Sequence, residues 1–272
     1  MSLLAILVPL TCFVLVYAIL SPWLYERNLV LGEVFSKNSP FRGEYGAAAH
    51  AQLGDALPIK KQLFRLALLF SFVVPLMVVV GTNFSNSYLA TISVFNLVLA
   101  GIGMYVLTKK WYCFPLAVPL VLFPPLANLL VLLIVIGSFA VASNALSLKS
   151  TKFFLTALII MDVFLVSSGL LTQIFPFSLG DSSYLVLNSF HFPFGVQVGG
   201  GDLFGLMLLA NLVIAEKGRR LLVGCVYVVG IVVAMSLVLS GTFSIFPATI
   251  PLGPALIVHL RTRKRQTQTL NV

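Results

Sequence analysis

Asp162 and Asp202 each lie inside a long apolar run of this 272-residue chain. A charged side chain at the centre of a bilayer costs roughly 2.5–3.5 kcal/mol on insertion scales, so an acid placed there is a candidate for function. Two carboxyl groups held close together take up one proton between them. The ionised group can then draw a proton from water while the protonated one polarises a carbonyl, as peptide hydrolysis requires. The two aspartates are therefore predicted to be a catalytic pair that needs no metal and no cofactor.

The residues before Asp202 predict room for a peptide. Gly199, Gly200 and Gly201 carry no side chains, so another backbone can come close to this part of the chain. Residues 194–198 show the two-residue alternation of side chains that is typical of a β-strand, and they are rich in residues that favour strands. This pattern predicts an extended segment that could add a strand to a substrate. An ordinary surface loop is the alternative interpretation, and His191 is interpreted as a polar loop residue.

The last apolar run, residues 243–260, is interrupted by Pro247, Pro251 and Pro254. Its outer half is therefore predicted to be irregular, with Pro254 in the first turn of a helix that runs into the basic tail. Irregular backbone at membrane depth is tolerated only inside protein or beside a water-filled cavity. A hydrolase within lipid needs such a cavity, because water is its second substrate.

The composition predicts a polytopic membrane protein. Hydrophobic residues make up 59% of the chain and charged residues only 9%, whereas a soluble domain has about 25% charged residues. Apolar runs of about 17–25 residues favour membrane helices over barrel strands. Cys12, Cys113 and Cys225 lie in separate runs without a Cys or His cluster, so they are interpreted as small hydrophobic residues and not as metal ligands.

The positions of the basic residues predict the number and direction of the spans. Lys and Arg occur only in alternate loops, so the long run at 111–148 has to be two short spans broken at Pro124-Pro125. The positive-inside rule then places the N-terminus outside and the C-terminus in the cytosol. The net charge of +9 is thereby explained by topology, which argues against a nucleic-acid partner. The other predicted spans cover residues 3–25, 63–81, 88–107, 153–171, 199–214, 221–239 and 243–260, which gives nine in all.

This topology divides the chain and places both acids in the bilayer. Residues 1–150 are predicted to form a scaffold of five spans with a cytosolic loop at 26–62, and residues 151–272 a catalytic part of four spans. Asp162 lies about 15 Å and Asp202 about 22 Å from the cytosolic edge of a layer about 30 Å thick. The alternatives are a structural helix cap, or a proton- or cation-coupled transporter with acids at the midplane.

An Asp in one span, Gly-x-Gly-Asp in the next and Pro-Ala-Leu at the start of the last helix resembles the GxGD intramembrane aspartyl proteases, the presenilin and signal peptide peptidase family with its archaeal homologues. The resemblance implies an all-α, presenilin-like fold of nine membrane helices that cleaves membrane-spanning segments or signal peptides. It also implies that the Pro-Ala-Leu segment supports the active site and the substrate. The matching positions are Asp162, Gly199, Gly201, Asp202, Pro254, Ala255 and Leu256.

Met161 departs from the family pattern, because a tyrosine usually precedes the first aspartate. The missing hydroxyl is expected to bear on activity or substrate preference. The predicted outside N-terminus matches the signal peptide peptidase branch. The expected partners are membrane-spanning peptides and the bilayer itself, and nothing in the sequence indicates an obligatory partner subunit. An inactive homologue that binds membrane segments without cutting them is a further alternative.

Overall fold

The computed structural model describes residues 4–26, 85–110, 113, 126–146, 148–168, 189–191, 197–240 and 249–269. The predicted span at 63–81, nearly all of the predicted loop at 26–62 and the Pro124-Pro125 junction lie outside these residues. The count of nine spans and the break at the proline pair therefore stay predictions.

The described part of the chain is mostly helical, as predicted, with one short hairpin. Helix α1 continues through a π-helical turn, Val16–Leu20, to residue 26. Three helical stretches are long and apolar enough to cross a membrane, namely Leu7–Glu26, Leu148–Ser167 and Arg220–Leu237. The elements are α1 (Leu4–Leu15), α2 (Ser85–Thr108), α3 (Ala127–Ala145), α4 (Leu148–Ser167), β1 (Ser189–His191), β2 (Gln197–Gly199), α5 (Gly200–Ala215), α6 (Arg220–Leu239) and α7 (Leu252–Thr269).

Helix α5, which carries Asp202, lies at the centre of the bundle. It packs against α3, α4, α6, α7 and the π-helical turn. Apart from Asp202 and Asn211, its side chains are apolar on every face, which is the pattern of a helix enclosed by other helices. The apolar windows of α4 and α6 are only 17% and 22% buried, so these two helices turn much of their surface outward. Asp202 therefore lies on the most enclosed helix of the described part.

Glycines bring α2 and α3 into backbone contact. A Cβ atom on Gly137 would lie 1.9 Å from the Leu99 carbonyl oxygen, and one on Gly103 would lie 2.1 Å from the Leu133 carbonyl oxygen. No side chain fits at either position, so only glycine allows this crossing. Close contact through small residues is a common way for apolar helices to pack when lipid surrounds them.

Two helix boundaries differ from or extend the predictions. Helix α4 begins at Leu148 rather than at residue 153, so Lys149 and Lys152 belong to the helix and not to a preceding loop. Helix α7 begins at Leu252, which places Pro254 in its first turn as predicted. The helix then continues into the basic tail as far as Thr269.

Candidate active site

Asp162 lies near the C-terminal end of α4, and its polar partner is Thr249. The Thr249 hydroxyl donates a hydrogen bond of 2.5 Å to Asp162 Oδ2, and the Thr249 backbone N–H also donates to this carboxyl group. Thr249 is only 3% exposed, so water does not compete for these bonds. Because Thr249 lies three residues before α7, the bonds connect the turn before that helix to α4.

Asp202 is the third residue of α5, and its partner is the residue before the helix. The backbone N–H of Gly199 donates to the Asp202 carboxyl group. This is the contact that an acidic third residue makes in a capping box, and the positive end of the helix dipole also favours a negative charge there. Asp202 thus caps the N-terminus of α5. A carboxylate has about four acceptor sites, so this one bond leaves the group free to act on a ligand.

The two aspartates lie on helices α4 and α5, which pack together, and the charge of Asp162 acts on the Asp202 carboxyl group. An ion pair sets the register of the two helices, since Lys152 Nζ lies 2.7 Å from Glu216 Oε1. Asp162 is about 15 Å along α4 from Lys152, and Asp202 is about 21 Å along α5 from Glu216. Long side chains on a helix lean toward its N-terminus, and such a direction for Lys152 would make up part of the difference. The prediction that the acids lie at one level is consistent with this register.

The three glycines before Asp202 have different surroundings. Gly199 is in extended conformation, which any residue adopts, but a Cβ atom there would lie 3.1 Å from Asp202 Oδ2. Gly200 is buried. A Cβ atom on Gly201 would meet none of the described residues within 4 Å, and Gly201 is exposed. Among the described residues, Gly201 thus has room for an added side chain, whereas Gly199 lies against the carboxyl group of Asp202.

The Pro-Ala-Leu segment lies in the first turns of α7, next to the aspartates. Ala255 and Leu256 are buried and Pro254 is exposed. Just before them, Leu252 packs against Gly205 of α5, where a Cβ atom would come within 2.7 Å of Leu252 Cδ1. Gly205 follows Asp202 by one helical turn, so the beginning of α7 lies directly beside the acid.

A hairpin leads into the site. Strands β1 and β2 are antiparallel, and β2 runs straight into α5. Phe190 and Val198 are paired and both are buried. The strand predicted at 194–198 is thus confirmed for residues 197 and 198, and residues 192–196 lie outside the described part.

Two further residues from the sequence analysis lie near these elements. His191 lies on β1 opposite Gln197, and Met161 is half-buried on α4 next to Asp162.

Four side chains form an ion cluster at the opposite end of α5, here called the Glu216 cluster. The Glu216 side chain is 2% exposed and accepts hydrogen bonds from Lys152 of α4 and from His259 of α7, the latter at 2.8 Å. Arg263 of α7 also donates to this carboxylate. Burial alone would raise the pKa of Glu216, but the bonds from His259 and Lys152 and the nearby positive charges outweigh it and hold the pKa below its ordinary value. The cluster joins the three helices that carry the aspartates and the Pro-Ala-Leu segment.

The end of α5 shows why a glycine lies beside this cluster. The Gly218 N–H donates to the Val213 carbonyl and the Lys217 N–H to the Ile214 carbonyl, which is a Schellman motif. Glycine usually occupies the left-handed position of this motif, but here that residue is Lys217, with a φ of 52°. The glycine comes one residue later because a Cβ atom on Gly218 would lie 2.7 Å from the ring of His259. Close packing against α7 therefore decides the position of this glycine.

Sequence reasoning missed Thr249 and the Glu216 cluster. Thr249 is a polar residue between Pro247 and Pro251 in an apolar run, and this pattern could have marked it as a partner for a buried group. Glu216 lies just beyond the predicted span at 199–214, and its partners lie 64, 43 and 47 residues away in the chain. The described residues contain no group of three or more His, Cys, Asp or Glu side chains that could hold a metal ion. The three cysteines are unpaired with one another, and Cys225 is exposed.

Comparison of the chain with protein-family models, with curated proteins and with solved structures finds no match.

The bond between Thr249 and Asp162 can be tested with two substitutions. Thr249→Val keeps the shape of the side chain but removes the hydroxyl, so we expect the free energy of unfolding to fall by about 1–3 kcal/mol. Thr249→Ser keeps the hydroxyl and should retain most of the stability. Thermal unfolding in detergent measures both, and equal losses in the two variants would contradict a role for the hydroxyl.

The Glu216 cluster predicts a pH dependence of stability. Because the pKa of folded Glu216 is below its ordinary value of 4.5, its contribution is present above that pH and is lost as the pH falls through the lower folded value. Glu216→Gln should therefore lower the unfolding temperature at about pH 7, and the difference from wild type should shrink toward about pH 3.

The matched control is Glu26→Gln, since Glu26 is exposed at the end of the first helical stretch. This variant should follow the wild-type curve throughout. A Glu216→Gln offset that stays constant between neutral and acidic pH would contradict the assignment.

Proposed function

We propose that this protein is an intramembrane aspartyl endopeptidase of the GxGD type, which hydrolyses peptide bonds within membrane-spanning segments or signal peptides. One observation carries the proposal: Asp162 and Asp202, on separate helices, lie close enough for their charges to interact. The sequence resemblance to the presenilin and signal peptide peptidase family supports it, because the start of α7, the helix that carries the Pro-Ala-Leu segment, packs against α5 at Gly205.

The proposed topology has nine membrane helices, with the N-terminus outside and the C-terminus in the cytosol. Helix α5 has 16 residues, so it is about 24 Å long and shorter than a hydrocarbon layer of about 30 Å. With Glu216 at the cytosolic edge, the start of α5 and strand β2 then lie within the layer. Non-helical backbone is tolerated there if it faces protein or water, and the hairpin and the turn at Thr249 would line such a cavity.

The proposed reaction uses one proton shared by the two carboxyl groups. The ionised carboxylate takes a proton from a water molecule, whose oxygen attacks the carbonyl carbon of the scissile bond. The protonated carboxyl group donates a hydrogen bond to the carbonyl oxygen. The C–N bond then breaks, and the leaving nitrogen takes up the proton that the carboxylate received from water. The two groups titrate as a unit. Thr249 and the Gly199 N–H hold one carboxyl group each, which fixes their orientation before the substrate arrives.

The proposed position of the substrate follows from Gly201 and the hairpin. None of the described residues occupies the space beside Gly201, which precedes Asp202, and β2 leads directly into this helix. A helical substrate hides its peptide bonds in its own hydrogen bonds, so it has to be extended before it can be cut. A short strand next to the acids offers backbone groups that could pair with an extended segment.

The catalytic role of the pair is tested by Asp162→Asn and Asp202→Asn. Each variant keeps the side-chain shape but cannot share a proton in the same way, so we expect cleavage of a single-span reporter peptide in liposomes to be lost in both. Because Asn retains acceptor capacity for Thr249 and Gly199, the unfolding temperature should stay near that of wild type. Retained cleavage in either variant would contradict the catalytic assignment.

The same liposomes separate the alternatives. A proton- or cation-coupled transporter would give ion-dependent solute uptake and no peptide products, and both asparagine variants would lose uptake. An inactive homologue would bind the reporter without cutting it. Either result with the wild-type protein would replace the proposed function.

The proposed path of the substrate is tested by Gly201→Ala. The added methyl group meets none of the described residues, and alanine is favoured over glycine inside a helix by about 0.5–1 kcal/mol, so stability should be kept or raised. If a substrate backbone passes this position, kcat/KM should fall by about tenfold or more.

Gly137→Ala is the matched substitution at a distance from the site. Its methyl group would collide with the Leu99 carbonyl oxygen, so we expect a lower unfolding temperature but unchanged kcat/KM per folded molecule. Full cleavage by Gly201→Ala would mean that the substrate does not pass there.

A further inference from the structure

Tyr227 has a buried hydroxyl group for which the described residues offer no hydrogen-bond partner. Its side chain is 1% exposed, and the hydroxyl oxygen is inaccessible to solvent. Buried hydroxyl groups are nearly always hydrogen-bonded, so an exception calls for an explanation such as a catalytic role. Tyr227 lies on α6, a helix to which the proposed mechanism assigns no task.

The face of α6 that carries Tyr227 packs against the segment that precedes α7. Tyr227 and Gly230 are three residues apart and share this face. Gly230 lies against Pro251, where a Cβ atom would come 2.8 Å from Pro251 Cβ. Pro251 follows Thr249, the partner of Asp162, by two residues. This packing places that face of α6 beside the segment that carries the partner of Asp162.

Electrostatics connect the hydroxyl group with one member of the pair. The charge of Asp202 acts on Tyr227, and the other titratable group that acts on it is Cys12 of α1. The Tyr227 ring is held in place by Phe13, which meets it edge to face with ring centres 5.8 Å apart. This contact restricts the orientation of the ring.

We propose that Tyr227 is a positioning residue for Asp202. When a substrate occupies the site, the Tyr227 hydroxyl group donates a hydrogen bond to the Asp202 carboxyl group. This inference rests on the proposed protease function. A carboxylate has about four acceptor sites, so Asp202 can accept this bond while it keeps the one from Gly199. A donor that is fixed beforehand in a dry site stabilises developing charge more than water does.

The inference predicts that Tyr227→Phe separates activity from stability. The variant removes only an unpartnered hydroxyl group, so the unfolding temperature should be unchanged or higher. Loss of a donor that acts during the reaction should lower kcat by about tenfold or more while KM stays within about twofold. Cleavage of the single-span reporter in liposomes and thermal unfolding measure both properties on one preparation.

Tyr17→Phe is the matched control. The Tyr17 hydroxyl donates a hydrogen bond of 3.0 Å to the Arg220 carbonyl at the start of the same helix. Its loss should lower the unfolding temperature but leave kcat per folded molecule unchanged, which is the opposite pattern.

Two results would overturn the inference. Wild-type kcat in Tyr227→Phe would mean that the hydroxyl group does not act on Asp202. A fall in kcat that merely follows a fall in unfolding temperature would mean that Tyr227 only packs. Absence of cleavage by the wild-type protein itself would contradict the proposed function and remove the basis of the inference, so the two failures are distinguishable.

Discussion

A carboxylate inside an apolar helix bundle needs polar partners, because an unpaired charge there is expensive. In this protein the two partners decide how the elements around the site meet. Thr249 holds Asp162 and so fixes the beginning of α7, while the Gly199 N–H holds Asp202 and so fixes the end of β2. The packing of Leu252 on Gly205 follows from these two attachments.

The carboxyl groups at the two ends of α5 have different numbers of polar partners, and this difference suits the proposed function. At one end Glu216 has donors from Lys152, His259 and Arg263, so its charge is paired and the three helices are held in register. A buried ionic group contributes in this way only when all its partners are present. At the other end, Thr249 holds Asp162 and the Gly199 N–H holds Asp202, and a carboxylate with one such partner keeps acceptor capacity for water and substrate.

The sequence predicts the local features of this site better than its long-range contacts. Helical spans, the short strand before α5 and the helix start around Pro254 follow from patterns within a few residues. The bond from Thr249 to Asp162 joins residues 87 positions apart, and no local pattern selects one partner among the many polar groups of a chain. The predicted span at 153–171 begins later than α4 for a related reason. A lysine beside an apolar run indicates the edge of a span, but the pairing of Lys152 with Glu216 lets this lysine lie within the helix.

Acids in the middle of the bilayer can only cut bonds that lie at the same depth. Mass spectrometry of the products from a single-span peptide in liposomes, prepared in water enriched in oxygen-18, locates the cut. We expect a new C-terminus within the apolar segment that carries one oxygen-18 atom from the attacking water. Cuts confined to the polar flanks of the segment would contradict the placement of the catalytic pair inside the membrane.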